Sequence, residues 1–290
     1  MKRGRWLLVI LVLLVSAWPA ATQAAKPDIG LRITPLRSYP TLDPGATSDD
    51  SITLTNLTPK PQTISLSSEI FKVTDEEYDY DFEPSDTAQW IRFVDTQITL
   101  GVNQSQAIAY SLAVPANATP GSHLLVLLAA TNPTISSSHI NEVSRVASLV
   151  YLQVNGQLNK QSRLLSASLP WFSSSPSIPL TTQVADTGNT YTQARVGVYA
   201  TRQPFGRADN LAQLDNLILP STVRKVSGTV TLPKVPGLYK VDTQYSSPSG
   251  TPMTISHYVL YLPAWLQLVL LAWLVGGGLV IWRRPRNRRS

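Results

Sequence analysis

The 290-residue chain has no cysteine, three histidines and two methionines, and only 14 % of its residues are charged. Without cysteine there are no disulfides, thiolate nucleophiles or cysteine-ligated metals. His123, His139 and His257 lie 16 and 118 residues apart and form no H-x-H or H-E-x-x-H pair, so no zinc motif is present. No G-x-S-x-G elbow occurs. Ser–His–Asp combinations can be drawn from any serine-rich chain and carry no weight. Paired carboxylates for glycoside cleavage would need a separation that nothing here specifies. The sequence nominates no catalytic residue and no cofactor, and the expectation is a protein that is not an enzyme.

Long apolar runs are confined to the two ends. Near the start, Lys2, Arg3 and Arg5 precede the apolar stretch Trp6–Val15, and Thr22-Gln23-Ala24 follows with small residues at the −3 and −1 positions of a cleavage site. This is the pattern of a secretory signal over residues 1–24, cleaved after Ala24. At the other end, Pro263–Trp282 holds one strongly polar side chain, Gln267, and is followed by Arg283, Arg284 and three further arginines. Twenty helical residues span about 30 Å, the thickness of a bilayer core. The expectation is therefore a single membrane span over 263–282, with residues 283–290 cytoplasmic because arginines beside a span resist translocation. Pro263, Trp265, Trp273, Trp282, Arg283 and Arg284 are its anchoring candidates. Ala272 and Gly276, spaced four apart, are candidates for helix pairing, which a single span permits without requiring.

The ends also explain the charge. The formal net charge is +6, from 24 Lys+Arg against 18 Asp+Glu. Three cations lie in the signal and five in the tail, so the middle keeps 16 cations against 18 acids, a net −2. A mildly acidic exported region argues against a nucleic-acid partner. A cysteine-free exported chain with a hydrophobic tether fits a bacterial envelope protein, with its N-terminal part outside the cell.

Within that middle, period-two alternation dominates. Ile29, Leu31 and Ile33, then Ile52 and Leu54, Ile64 and Leu66, and Ile108 to Val114 alternate with polar or small residues. Asp43-Pro44-Gly45 and Asn117-Ala118-Thr119-Pro120-Gly121 punctuate them as turns. Leu124–Ala130 and Val146–Val154 are more continuously apolar, as central strands covered on both faces would be. The polar stretch 156–163 marks a boundary, after which strand patterns resume from Leu164 to Leu260. Arg207–Leu219 suits one helical turn or a loop and a strand equally well. The fold class is all-β: two immunoglobulin-like β-sandwiches in tandem, residues 25–156 and 157–262, plus the C-terminal helix.

Thr74–Asp86 carries seven acids. Asp75, Glu77, Asp79 and Asp81 are weak calcium candidates, since alternating carboxylates offer oxygen ligands but no Asp-x-Asp-x-Asp-Gly loop is present. The interleaved Tyr78, Tyr80 and Phe82 are partner-binding candidates if exposed, and strand packing if not. Trp90 reads as core in the apolar strand WIRFV. Trp171-Phe172 is a contact-site candidate or packs at the domain junction.

ITP at Ile33–Pro35, the run from Asp43 to Ser68, Trp90-Ile91, the PANATPGSH turn ending at His123 and the strand VASLVYLQVNG together resemble the N-terminal domain of bacterial WxL-interacting proteins, a sandwich loosely related to pilus-chaperone N-domains. The resemblance covers about 29–156 and is faint beyond, at Asp186–Asn189, Leu219–Arg224 and Pro236–Val241. It implies a membrane-anchored cell-surface binding protein that contacts cell-wall peptidoglycan and another surface protein. The alternative is a membrane-tethered chaperone or assembly factor that pairs strand edges with exported proteins.

Overall fold

A computed structural model describes residues 30–132, 143–246 and 252–283, with the side chains of 278–283 excepted. The signal segment, His139, the turn at 247–250 and the tail arginines from Arg284 lie outside the described residues, as do the side chains of Trp282 and Arg283.

The first sandwich is built from β1 (Leu31–Thr34), β2 (Arg37–Ser38), β3 (Thr41–Leu42), β4 (Thr47–Asn56), β5 (Gln62–Val73), β6 (Tyr80–Glu83), β7 (Ile91–Phe93), β8 (Gln97–Leu100), β9 (Ser105–Ala113), β10 (Gly121–Thr131) and β11 (Arg145–Val154). One sheet has the order β1-β4-β9-β7; the other runs β2-β11-β10-β5-β6, with β3 also on β11 and β8 on β5. The alternation read from sequence fills the space between the sheets, with Leu31, Ile33, Ile52, Leu54, Ile108 and Leu112 facing Leu125, Leu127, Val150 and Leu152. Burying each such side chain contributes about 1.5–3 kcal/mol. The continuous apolar runs have the expected second cover. Val126, Leu128, Leu149 and Tyr151 point out of the core into a separate cluster that includes Phe71, Tyr78 and, from the second sandwich, Leu219.

The second sandwich holds β12 (Ser162–Ser168), β13 (Phe172–Ser173), β14 (Ser177–Asp186), β15 (Thr192–Arg202), β16 (Ala208–Ile218), β17 (Val223–Thr231), β18 (Gly237–Ser246) and β19 (Pro252–Tyr261). Its sheets are β12-β14-β17 and β13-β19-β18-β15-β16. The ambiguous stretch after Arg207 is thus a strand. Opposite Val198 and Tyr199 the register slips from Ala212 to Asn210, so Leu211 is an extra residue. That bulge turns Leu211 onto the face of Ala212 and Leu214, all three packing on one cluster. The resulting spacing imitates a helix.

Trp90 packs against the core, as read from sequence, but not from a strand. It closes a 3-10 turn, Asp86–Trp90, and the strand starts at Ile91. The Ser85 side chain caps that turn by accepting from Thr87 N–H at 3.3 Å. Trp90 is half-buried against the core, its ring 4.7 Å from that of His123. Asn56 is fully buried, donating to Lys60 O at 2.8 Å and Gly101 O at 2.9 Å and accepting from Thr58 N–H at 2.9 Å. It is a turn-fixing residue.

A helix, α1, covers Ala264–Arg283, one residue later at its start than the sequence pattern placed it. Gln267 turns its amide back to donate to Leu262 O at 2.7 Å. From Leu268 to Gly277 every residue of the helix is exposed, Trp273 to 79 % and Leu274 to 74 %. A Cβ at Gly276 would meet no atom within 4 Å. Among the described residues no helix is long and apolar enough to cross a membrane. The described side chains end at Gly277, about 21 Å along the axis at 1.5 Å per residue. The span over 263–282 therefore rests on sequence.

Candidate functional site

The acidic segment after β5 joins the two sandwiches. Thr74 N–H donates to Asp79 O at 3.0 Å, and Asp79 N–H to Asp75 Oδ1 at 3.0 Å, closing a tight turn. Within it Tyr78 takes a φ of 71°, a left-handed conformation unusual for a bulky residue and costing of order 1–3 kcal/mol. What holds it there comes from the second sandwich. The Tyr78 hydroxyl accepts from Leu219 N–H at 2.9 Å and lies 2.7 Å from Thr222 Oγ1. Thr222 already donates to Leu219 O at 2.8 Å, so Tyr78 donates to Thr222. The Arg224 guanidinium sits 4.4 Å from the ring centroid, within cation–π range. Burial is the main cause that raises the Tyr78 pKa above its ordinary value, so the phenol stays protonated.

The neighbouring acids are used singly. Lys225 N–H donates to Glu76 O at 2.7 Å, Gln183 Nε2 to Glu76 Oε2 at 2.6 Å, and Lys225 Nζ to Glu77 Oε1 at 2.8 Å. That last hydrogen bond raises the Lys225 pKa. Asp75 caps its own turn, while Asp79 and Asp81 are exposed. The structure does not gather the calcium candidates: among the described residues no group of three or more His, Asp or Glu is placed to hold a metal ion. The carboxylates fan out toward separate donors rather than converging.

A second joint uses the turn that ends at Gly121 and the segment Asp186–Asn189. Ser122 N–H donates to Asn189 O at 2.8 Å, and Tyr191 N–H to Ser122 Oγ at 2.8 Å. The Asn189 amide donates to Gln157 O at 3.0 Å and to Pro120 O at 3.2 Å. Gly121 has φ 132°, and a Cβ there would lie 2.4 Å from Asn189 O. At Gly188 it would lie 2.1 Å from Asn159 O. Both glycines are required by close backbone approach. Aromatic rings complete the seam: Tyr39 stacks on Tyr151 at 5.0 Å, and Tyr191 meets both at about 6 Å.

Beside this seam lies a groove of about 470 Å³ lined by Leu36, Arg37, Tyr80, Phe82, Ala147 and Leu149. Tyr80 and Phe82 are half-buried along its wall, and Leu36 is 67 % exposed at its rim. Arg145 pairs with Glu69 at 2.8 Å and stands 6.0 Å from the Phe82 ring. The groove crosses the outer face of the sheet, from β6 to β11 and β2, and ends at the β11 edge. On the side away from β10, β11 pairs only with β2 at Leu149 and Val150 and with β3 at Gln153 and Val154. No described strand pairs with Arg145–Ala147 on that side. Of the sequence candidates, Tyr78 is thus consumed in the joint and Tyr80 and Phe82 line the groove. Trp171 and Phe172 lie elsewhere, near α1, where Trp171 is 75 % exposed and its ring is 5.6 Å from that of Phe172. Leu36, Arg37, Arg145, Leu219, Thr222, Arg224 and Lys225 were not singled out by pattern, because only pairing across the chain gives them a place.

No family model matches the chain, and no curated protein matches it. Solved structures it is similar to include several bacterial chaperones. The class 5 fimbriae chaperone CfaA is 9 % identical over 80 % of this chain and 100 % of its own, with a TM-score of 0.41. A Salmonella enterica complex of the SafA pilin with the SafB chaperone gives 10 % identity, 81 % and 98 % coverage and a TM-score of 0.39. The E. coli chaperone DraB gives 11 % identity, 78 % and 96 % coverage and a TM-score of 0.39. At such scores the likeness supplies no argument about what this chain binds.

Proposed function

We propose that this chain is a non-catalytic protein of the bacterial cell envelope that holds an extended segment of an exported partner protein by strand addition. The observation that carries the reading is the open edge of β11 at Arg145–Ala147 beside the groove of Leu36, Tyr80, Phe82 and Leu149. A bare edge offers backbone hydrogen bonds, and adjacent apolar pockets select alternate side chains of the incoming strand. The seam supports the same reading, because its hydrogen bonds at Tyr78, Ser122 and Asn189 join the two sandwiches into one platform. The anchor is part of the proposal: an exposed, apolar helix at Ala264–Gly277, continued by the apolar sequence to Trp282 and the arginines behind it, tethers the protein with its sandwiches outside.

The test is site-specific photo-crosslinking in intact cells from Leu36, with the exposed Val94, 79 % accessible, as the control position. Adducts with exported proteins from position 36 and not from 94 support strand addition. Adducts with peptidoglycan fragments alone would replace it by wall binding, and equal labelling from both positions would overturn it.

A further inference from the structure

The end of the second sandwich farthest from the joint has its own surface. Its hydrogen-bond register brings several strand ends to one level: Phe172 beside Leu260, Leu260 beside Leu238, and Arg202 beside Tyr239. Gln203 N–H donates to Leu238 O at 2.8 Å and Leu262 N–H to Ser173 O at 3.0 Å, so the loops there stand side by side around the start of α1. These loops carry large apolar side chains turned outward. Phe205 is 95 % exposed, Trp171 75 %, Trp265 62 %, Val235 46 % and Leu238 41 %. Exposed cations accompany them at Arg202, Arg207 and Lys234, with Asp209 the nearby acid. The opposite end, at Asn189, Leu219 and Thr222, is occupied by the first sandwich.

We infer that this end is a lipid-docking surface, on which Trp171 and Phe205 enter the headgroup layer of an anionic bilayer while Arg202, Arg207 and Lys234 meet its phosphates. The occupant follows from continuity, since α1 leaves from this surface with only Leu262 and Pro263 between it and β19. Charge is complementary, and aromatic tips beside cations are the composition that settles at a membrane interface. The inference deepens the tethered reading and rests on it. Two contacts, helix and base, would then fix the platform's angle to the membrane, where a lone helix leaves it free to tilt.

Because the chain lacks cysteine, single-cysteine variants take one fluorophore each. Trp171→Cys, Phe205→Cys, Leu274→Cys and Val94→Cys are prepared in the full chain and reconstituted in phosphatidylglycerol–phosphatidylcholine vesicles with brominated acyl chains. All four positions are exposed, so folding does not depend on them. The expected result is loss of fluorescence at 171, 205 and 274 and none at 94, with the loss at 171 and 205 reduced in phosphatidylcholine alone. Quenching at 274 without quenching at 171 and 205 overturns the docking surface and leaves the tether standing. No quenching at 274 overturns the tether and the docking surface with it.

Discussion

Replacing Tyr78 by Phe tests the seam at its most concentrated point. The change keeps the ring beneath Arg224 and removes one oxygen. The Thr222 hydroxyl retains its bond to Leu219 O, so it is not stranded. Leu219 N–H is stranded, since Leu219 is fully buried and its amide donates to the lost hydroxyl at 2.9 Å. A buried donor without a partner costs about 1–3 kcal/mol. If the sandwiches unfold as one unit, that corresponds to a fall in Tm of about 2–12 °C for a region of this size. Amide exchange at Leu219 should quicken about 5- to 150-fold, at tenfold per 1.4 kcal/mol. Exchange at core amides such as Leu127 should change no more than global stability does. Unchanged protection at Leu219 together with an unchanged Tm would refute the claim that this hydroxyl joins the domains.

The Lys225–Glu77 pair beside it should matter far less: both groups are exposed and screened, so Lys225→Ala should leave the unfolding midpoint nearly where it was, at any salt concentration. Gly121→Ala should be severe, since φ 132° and a contact of 2.4 Å to Asn189 O force the joint to open; a loss of 1–3 kcal/mol or more is expected of such strain, read as a lowered denaturant midpoint. Asp186 is buried, and desolvation raises its pKa above the ordinary carboxylate value despite the bond from Gly188 N–H at 2.7 Å. A raised folded-state pKa means that the folded chain binds the proton more tightly than the unfolded chain. Its contribution therefore improves as pH falls through the raised value and is lost as pH rises, with no further change above it. Asp186→Asn should flatten that part of a stability-against-pH curve and should not destabilise the protein at neutral pH.

Much of the architecture was legible without coordinates because it is local. Alternation at Leu31–Ile33, Ile52–Leu54 and Ile108–Leu112 is enough to identify half-buried strands, and the unbroken apolar runs of β10 and β11 announce that both their faces are covered. What covers the second face was not legible. The segment 74–86 looks like a solvated or ligand-binding loop because the partners of its acids, Gln183 and Lys225, and of Tyr78, Leu219 and Thr222, lie more than a hundred residues away. The turn Asn117–Gly121 is visible as a turn, but its role as a joint depends on Asn189 arriving from another domain. β16 was ambiguous for a local reason, since its bulge breaks the parity on which strand reading depends.

Composition and periodicity by themselves determined that the protein is built of strands, lacks thiol chemistry and concentrates its positive charge at its ends, since each of these depends only on neighbours along the chain. Tertiary structure decided that Tyr78 is a buried peg, that Tyr80 and Phe82 wall a groove reaching a strand edge with no partner among the described residues, and that Trp171 and Phe205 share one end with the helix. Those facts are pairings between residues far apart in sequence, which only the folded register brings together.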